Sequence, residues 1–178
     1  AACVGLAYTI YTLDPIKLWE ENINATGNAL DNSITGNRGN NILFGGAGTD
    51  MLTGGLGNDT YLMQRGQGND VIIDTDTTTG NNDIISLAAD ITSDQLWFNH
   101  VGNDLKISVI GTSDSYTVKN WYSGSSNQVE QFKAANGKTL ANANVEKLVQ
   151  AMSGLSAPVA GTTTLPTNYQ STLNPVIA

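Results

Sequence analysis

Asp50, Asp59 and Asp70 each stand sixth in a nine-residue block made mostly of glycine, asparagine and one large apolar residue. Carboxylates recurring among turn formers suit one chemistry above others. Short carboxylates and the free carbonyls of glycine-rich turns are hard oxygen donors, and they can converge on a cation that takes about six to eight oxygens. Calcium is the first candidate. The blocks read 27–35 (GNALDNSIT), 36–44 (GNRGNNILF), 45–53 (GGAGTDMLT) and 54–62 (GGLGNDTYL). The third and fourth fit G-G-x-G-x-D-x-U-x, with Leu52 and Tyr61 at the apolar position. The first two carry Asn32 and Asn41 where the others carry Asp. After the insertion of Met63 and Gln64, a fifth copy runs over 65–73 (RGQGNDVII), and 80–85 (GNNDII) is a degenerate echo.

The period dictates the elements that must position these groups. Six residues rich in Gly and Asn turn the chain through a half-circle, with positive φ supplied by glycine. The other three make a short strand whose middle residue points inward. Two nines close one coil of 18 residues, so loops 18 apart stack with strands about 4.8 Å apart. The Asn41 loop is thereby set on the Asp59 loop, and the Asp50 loop on the Asp70 loop, 20 apart because of the insertion. Stacked carboxylates repel, and strands this short bury too little to offset chain entropy, so the roll is expected to be disordered without metal. With calcium, Asp oxygens and the carbonyls of Gly46, Gly48, Gly55 and Gly57 complete the cage, and binding becomes folding energy. Asn41 and Asn32 bring no charge and mark the weak end, where a capping ladder of hydrogen bonds is the simpler role.

Composition agrees with a β-rich, turn-dense chain. Only 13% of residues are charged, and 16 acidic residues face 8 basic ones for a net charge of −8. Asp dominates the acids, which argues for cations and against nucleic acid as a partner. The lone Cys3 excludes an internal disulfide and a thiolate cluster for zinc. No apolar run approaches the ~18 residues of a membrane span, and the stretch 3–13 lacks the basic flank of a signal peptide. The chain starts without Met and reads as a fragment or processed product of something longer.

Beyond the blocks, Thr92 and Gln95 offer a capping box for one helical turn. Alternation then predicts strands over 95–101 and 104–110 around a Gly102-Asn103 hairpin, over 115–121, and over 128–134, where Asn136-Gly137 leads into 138–140. Their short loops predict antiparallel pairing. From Asn142, Val145, Leu148, Val149 and Met152 recur at helical spacing, with an Asn cap and Gly154 as the stop. Trp97, Phe98, Trp121, Tyr122 and Phe132 fit a core, although Trp121 and Tyr122 cannot both face inward on a regular strand. The tail from 153 to 178 is expected to be extended.

The run 27–73 resembles the RTX (repeats-in-toxin) calcium-binding β-roll, the haemolysin-type repeat of proteins exported by bacterial type I secretion. The resemblance implies calcium held between stacked turns by Asp50, Asp59 and Asp70 with Gly46, Gly48, Gly55, Gly57, Gly66 and Gly68. Arg65 departs from it, standing where the fifth copy should begin with Gly. The L-x-F/W strand, GNDL, TVKNW, the Asn-Gly hairpin and VEKLVQAM resemble the haemolysin-type calcium-binding-related domain that trails such arrays. The implied order is a lead-in over 1–24, a parallel β-roll over 25–90, an antiparallel β cap with one helix over 91–152, and a tail over 153–178. In the resembled proteins the secretion signal lies at the extreme C-terminus, which makes the tail its expected carrier.

No G-x-S-x-G, HExxH or phosphate-loop motif is present, and the single His100 falls on an expected strand. Asp14-Pro15 resembles the bond cut by calcium-activated self-processing modules of RTX proteins, but no acidic module of the EF-hand type follows it. Catalysis is therefore not expected within this chain, and a catalytic domain, if any, lies upstream. The expected role is a calcium-responsive module that folds outside the cell and supports type I export of a larger secreted or surface protein, such as a toxin or adhesin. Two other roles stay open: an adhesin-type module binding carbohydrate or a surface with calcium structural, and an accessory domain of a secreted hydrolase.

Overall fold

The computed structural model describes residues 20–159, 161–167 and 169. The expectations placed on Cys3, on Asp14-Pro15 and on the last residues of the tail lie outside them. Strands alternate between two sheets in the way the nine-residue period requires. β1 (Ala25–Thr26), β3 (Ile42–Phe44), β5 (Thr60–Met63) and β7 (Ile84–Leu87) build one sheet, and β2 (Ser33–Thr35), β4 (Met51–Thr53) and β6 (Asn69–Ile73) the other. All of these pairings are parallel. Leu43 pairs with Tyr61 and Ile34 with Leu52, 18 residues apart, and Leu52 with Ile72, 20 apart. Tyr61 pairs with Ile85, 24 apart, because a ten-residue loop, 74–83, replaces the usual six-residue turn.

The middle residue of each short strand does point inward. Leu43, Leu52, Tyr61, Ile72 and Ile85 are fully buried and Ile34 nearly so, while Ile42 and Met51 beside them are exposed. Each such side chain contributes about 1.5–3 kcal/mol on burial, a thin core for so many turns.

Both sheets continue without a break into the C-terminal part. β8 (Leu96–Val101), β9 (Asp104–Val109) and β10 (Ser115–Val118) form antiparallel hairpins, as the short loops predict. β10, however, joins the roll by pairing in parallel with β6, and β11 (Gln131–Lys133) by pairing in parallel with β7. Antiparallel pairing throughout is thus corrected at these two strands. β12 (Thr139–Ala141) closes the other sheet antiparallel to β11. The strand expected over 115–121 ends at Val118, because Asn120 adopts a left-handed backbone and starts a 3-10 turn, Trp121–Ser123. That turn resolves the conflict between neighbouring aromatics: Trp121 is buried and Tyr122 half-buried.

The helix α1 (Asn142–Ser153) buries Val145, Leu148, Val149 and Met152. Its N-cap is Ala141 and not an asparagine; Asn142 is the first helical residue, and its N–H donates to the Glu130 carbonyl at 2.8 Å. Phe132 of one sheet meets Phe98 of the other edge-on at 5.4 Å, which places the centre of this second core between the sheets. The tail packs back on it, with Leu165 buried, Tyr169 6.1 Å from Trp97, and the Thr163 carbonyl accepting from Gln95 Nε2 at 2.7 Å. No helix of the described residues is long and apolar enough to cross a membrane.

Candidate metal centre

The sixth residue of every block is buried at the inner lip of its turn, and two rows of them run along opposite sides of the roll. On one side Asn32 N–H donates to Asp50 Oδ1 at 2.7 Å, and Asp50 N–H to Asp70 Oδ1 at 3.0 Å. On the other, Asn41 N–H donates to Asp59 Oδ1 at 2.8 Å, and Asp59 N–H to Asp83 Oδ1 at 2.6 Å. Each aspartate thus spends one oxygen on the coil before it. The other oxygen, Oδ2 of Asp50, Asp59 and Asp70, is buried without a hydrogen-bond partner.

The glycines make room for this arrangement. A Cβ on Gly45 would lie 2.2 Å from Asp50 Oδ2, and one on Gly54 2.3 Å from Asp59 Oδ2, so the first glycine of a block is the seat of its own aspartate. Gly55 has φ +114°, and a Cβ there would lie 2.2 Å from the Asn37 carbonyl oxygen of the coil below. Close stacking and left-handed backbone demand glycine together. Gly46, Gly48 and Gly57 stand in equivalent turns, and Gly66 and Gly68 in the fifth. Gly48 and Gly68 bridge each other in parallel, and their carbonyls accept from Asn69 and Ser115 N–H at 3.3 and 2.9 Å.

Burial pushes the Asp59 carboxyl up to about 7, with the Asn41 N–H pulling it down and the charges of Asp83 and Asp76 raising it further. Burial likewise carries Asp70 to about 7, opposed by the Asp50 N–H and reinforced by the Asp50 and Asp114 charges. Asp50 is raised mainly by burial as well, against the Asn32 hydrogen bond. Residues 50–83 hold six Asp and one basic residue, Arg65. Arg65 instead reaches Asp90 and Gln95.

Asn32 and Asn41 behave differently from the aspartates. Their Oδ1 atoms accept from Asn28 and Asn37 N–H within their own turns, at 2.7 and 2.8 Å, and Asn41 Nδ2 donates to Asn37 Oδ1 at 2.9 Å. A carboxamide carries its own donor and closes the turn without a cation.

Sequence reasoning missed five acidic residues of this region. Asp114 receives Gly66 and Gly68 N–H at 2.8 and 3.0 Å, ending one row. Asp83 N–H donates to Glu130 Oε2 at 2.7 Å, ending the other, and the buried Asp74 and Asp76 lie in the loop between. Only Asp83 had a readable signal, its register in GNNDII. A second asparagine ladder also went unread: Asn40, Asn58 and Asn82 each donate N–H to the Asn one coil earlier at 2.8 Å. His100, by contrast, is an exposed strand residue stacked on Tyr122 at 3.6 Å, with Nε2 at 2.8 Å from the Gly102 carbonyl.

The donor set fits a hard cation: buried, unpartnered carboxylate oxygens facing glycine turns, with no sulfur or imidazole beside them. Among the described residues no three His, Cys, Asp or Glu side chains surround a common point, so backbone oxygens must supply much of any cage.

Parallel coils of this kind, with aspartates at the turn lips, define a calcium-binding β-roll. Residues 26–61 match the RTX calcium-binding nonapeptide repeat (4 copies), and residues 104–144 the haemolysin-type calcium binding protein related domain. These two segments of the chain are RTX haemolysin-type sequence, and Ca2+ is the ion such repeats bind. Iron-regulated protein FrpA of Neisseria meningitidis serogroup C is 39% identical over 94 residues, 51% of this chain and 8% of that protein. The chain therefore spans less than a tenth of this relative.

Proposed function

We propose that this chain is a calcium-gated folding module of a larger exported protein. It orders on meeting extracellular calcium and supports both type I secretion and the stability of what it is attached to. The observation that carries this reading is the set of buried repeat aspartates, Asp50, Asp59 and Asp70, each with one oxygen that has no hydrogen-bond partner and that a cation would satisfy. Asp50, Asp59 and Asp70 supply the charge, and carbonyls of Gly46, Gly48, Gly55, Gly57, Gly66 and Gly68 the remaining protein oxygens. Asn41 contributes as a neutral neighbour of the Asp59 turn.

Extracellular modules hold calcium with Kd of about 10⁻⁴–10⁻³ M, far above cytosolic levels, so the chain would stay open inside the cell and close outside. Roll (25–90) and cap (91–152) act in this reading as one unit, since both sheets run through both. Protecting the end strands of the roll is then the cap's task. The test is far-UV circular dichroism during a titration from chelator into calcium, with magnesium as control. A cooperative gain of β signal with calcium alone supports the switch; a fold complete in chelator sinks it.

A second reading, a recognition surface for carbohydrate as in an adhesin, draws on the His100–Tyr122 stack, an aromatic pair on the cap's surface. Retention on a glycan array that is lost in Tyr122→Ala, with the calcium response intact, would favour it.

A further inference from the structure

A cavity opens in the C-terminal part, where strands of both sheets meet the helix. Leu87 of β7, Leu96 of β8, Phe132 of β11 and Leu148 and Met152 of α1 line it, and with its open mouth included it has a volume of about 430 Å³. These five side chains are buried, whereas Lys138 and Thr139 are exposed and Ser93 and Leu140 half-buried. Apolar groups therefore form the depth and the others the mouth. The walls are held in place: Phe98 N–H, on the edge strand β8, donates to Met152 Sδ at 3.1 Å, and Phe98 packs edge-on against Phe132. A thioether fixed in this way still adapts to irregular apolar shapes.

Lys138 is the one charged residue among those that line the cavity. It follows the Asn136-Gly137 turn, where Gly137 has φ +84° and Lys138 N–H donates to Asn136 Oδ1 at 3.0 Å, so its backbone is fixed at the rim. Neither ion pair of the described residues, Arg65–Asp90 or Lys119–Asp104, uses its ammonium. A lysine stem can lie along apolar surface while its charge stays in water. A cation above an apolar depth complements the reverse arrangement, an alkyl chain with an anionic head. The volume falls toward the small end of ligand pockets, about 300–1,000 Å³, which suits one chain and not a two-chain lipid.

We propose that this cavity binds a single-chain anionic amphiphile of the fatty-acid type, its chain among Phe132, Leu148 and Met152 and its head on Lys138. A free molecule fits better than a membrane surface, because the apolar groups are recessed and neither Val101 nor Val159, the exposed apolar residues of the C-terminal part, lines the cavity. No repeat aspartate takes part, so the proposal stands apart from the calcium reading and its failure leaves that reading untouched.

Methyl NMR of the whole chain in calcium, titrated with octanesulfonate, hexanesulfonate and octyl glucoside, tests it, the sulfonate standing in for a carboxylate head. Saturable shifts are expected at Leu148 and Met152. Octanesulfonate should bind about 15-fold tighter than hexanesulfonate, since each buried methylene adds about fourfold. Lys138→Glu, at an exposed position, should weaken octanesulfonate about fivefold or more and leave octyl glucoside unchanged. Shifts elsewhere, shifts that do not saturate, or equal affinity for the two chain lengths overturn the cavity as the site. Octyl glucoside binding as tightly as octanesulfonate, or an unaltered affinity in Lys138→Glu, overturns the anionic head. Sedimentation with phosphatidylglycerol vesicles beside no response to the soluble sulfonates assigns Lys138 to a membrane surface and overturns the proposal as well.

Discussion

Asp59→Asn should change sign with the solvent, stabilising the chain in chelator and destabilising it in calcium. The substitution is nearly isosteric, and Asn Oδ1 can still accept from Asn41 N–H, so the contact at 2.8 Å is kept. What changes is charge. In chelator the folded carboxyl titrates at about 7 against 3.8 for the free group, through burial first and the charges of Asp83 and Asp76 after it. At ~1.4 kcal/mol per unit that is a penalty of up to about 4 kcal/mol at neutral pH, which the neutral amide removes. In 10 mM calcium, with Kd of about 10⁻⁴–10⁻³ M, each ion adds about 1.4–2.7 kcal/mol of stability to the wild type by mass action. The variant should lose at least one such increment. Urea denaturation followed by circular dichroism, in chelator and in 10 mM calcium, measures both. The rise of the midpoint with calcium should be smaller in Asp59→Asn than in the wild type. A variant that keeps the full calcium increment refutes Asp59 as a ligand, and one that is weaker in chelator refutes the argument from buried charge.

Proton linkage gives a related outcome for the wild type. Asp59 and Asp70 have raised folded values, so their stabilising contribution in chelator is complete below about 3.8 and is lost as pH rises through about 7. Residual structure in chelator should therefore increase as pH falls from about 8 toward 5, whereas calcium affinity should fall as protons compete, both readable by circular dichroism. Gly55→Ala, whose Cβ would strike the Asn37 carbonyl, should raise the calcium midpoint far more than Gly80→Ala, which has positive φ but open space around it and costs about 1 kcal/mol. Leu52→Ala should cost about 2–5 kcal/mol in calcium-loaded denaturation, against less than about 0.5 for the exposed neighbour Met51→Ala. Asp114→Ala, which strips the acceptor from Gly66 and Gly68 N–H, should cost about 1–3 kcal/mol and loosen β10 from β6, visible as faster amide exchange at those glycines.

The roll was legible because its geometry is local. A nine-residue period fixes which residue points inward and which loop lies on which, and the 18- and 20-residue offsets follow from counting. The helix and the β8–β9 hairpin were legible for the same reason. The parallel insertion of β10 and β11 was not, since Tyr116 meets Asp70 across 46 residues and no loop between them advertises it. Asp74 was equally silent: it occupies no repeat position, and its burial comes from loop 74–83 being trapped against Glu130 and Ser126, a tertiary fact. The Asn142 cap failed because the Glu130 carbonyl accepts the Asn142 N–H as the chain leaves β12, so the helix begins at Asn142 itself and its side chain donates to Gln128 Oε1 at 3.2 Å.

The two rows also explain why asparagine opens the array and acid closes it. One row reads Asn32, Asp50, Asp70 and then Asp114; the other reads Asn41, Asp59, Asp83 and then Glu130. At the start, the carboxamides satisfy their own turns and need no ion, which keeps the exposed end of the coil stack neutral. Toward the cap every step adds a carboxyl group, buried in each case except the half-buried Glu130, and the last two acids come from the C-terminal part itself. The cap does not neutralise the roll; it extends the anionic rows and supplies the strands they stack on. Joining roll to cap therefore raises the electrostatic cost of the metal-free fold at the place where the sheets pass from one to the other. On the proposed reading, a cation bound there would lower that cost for both parts at once and would make ordering of the roll and docking of the cap one calcium-dependent event.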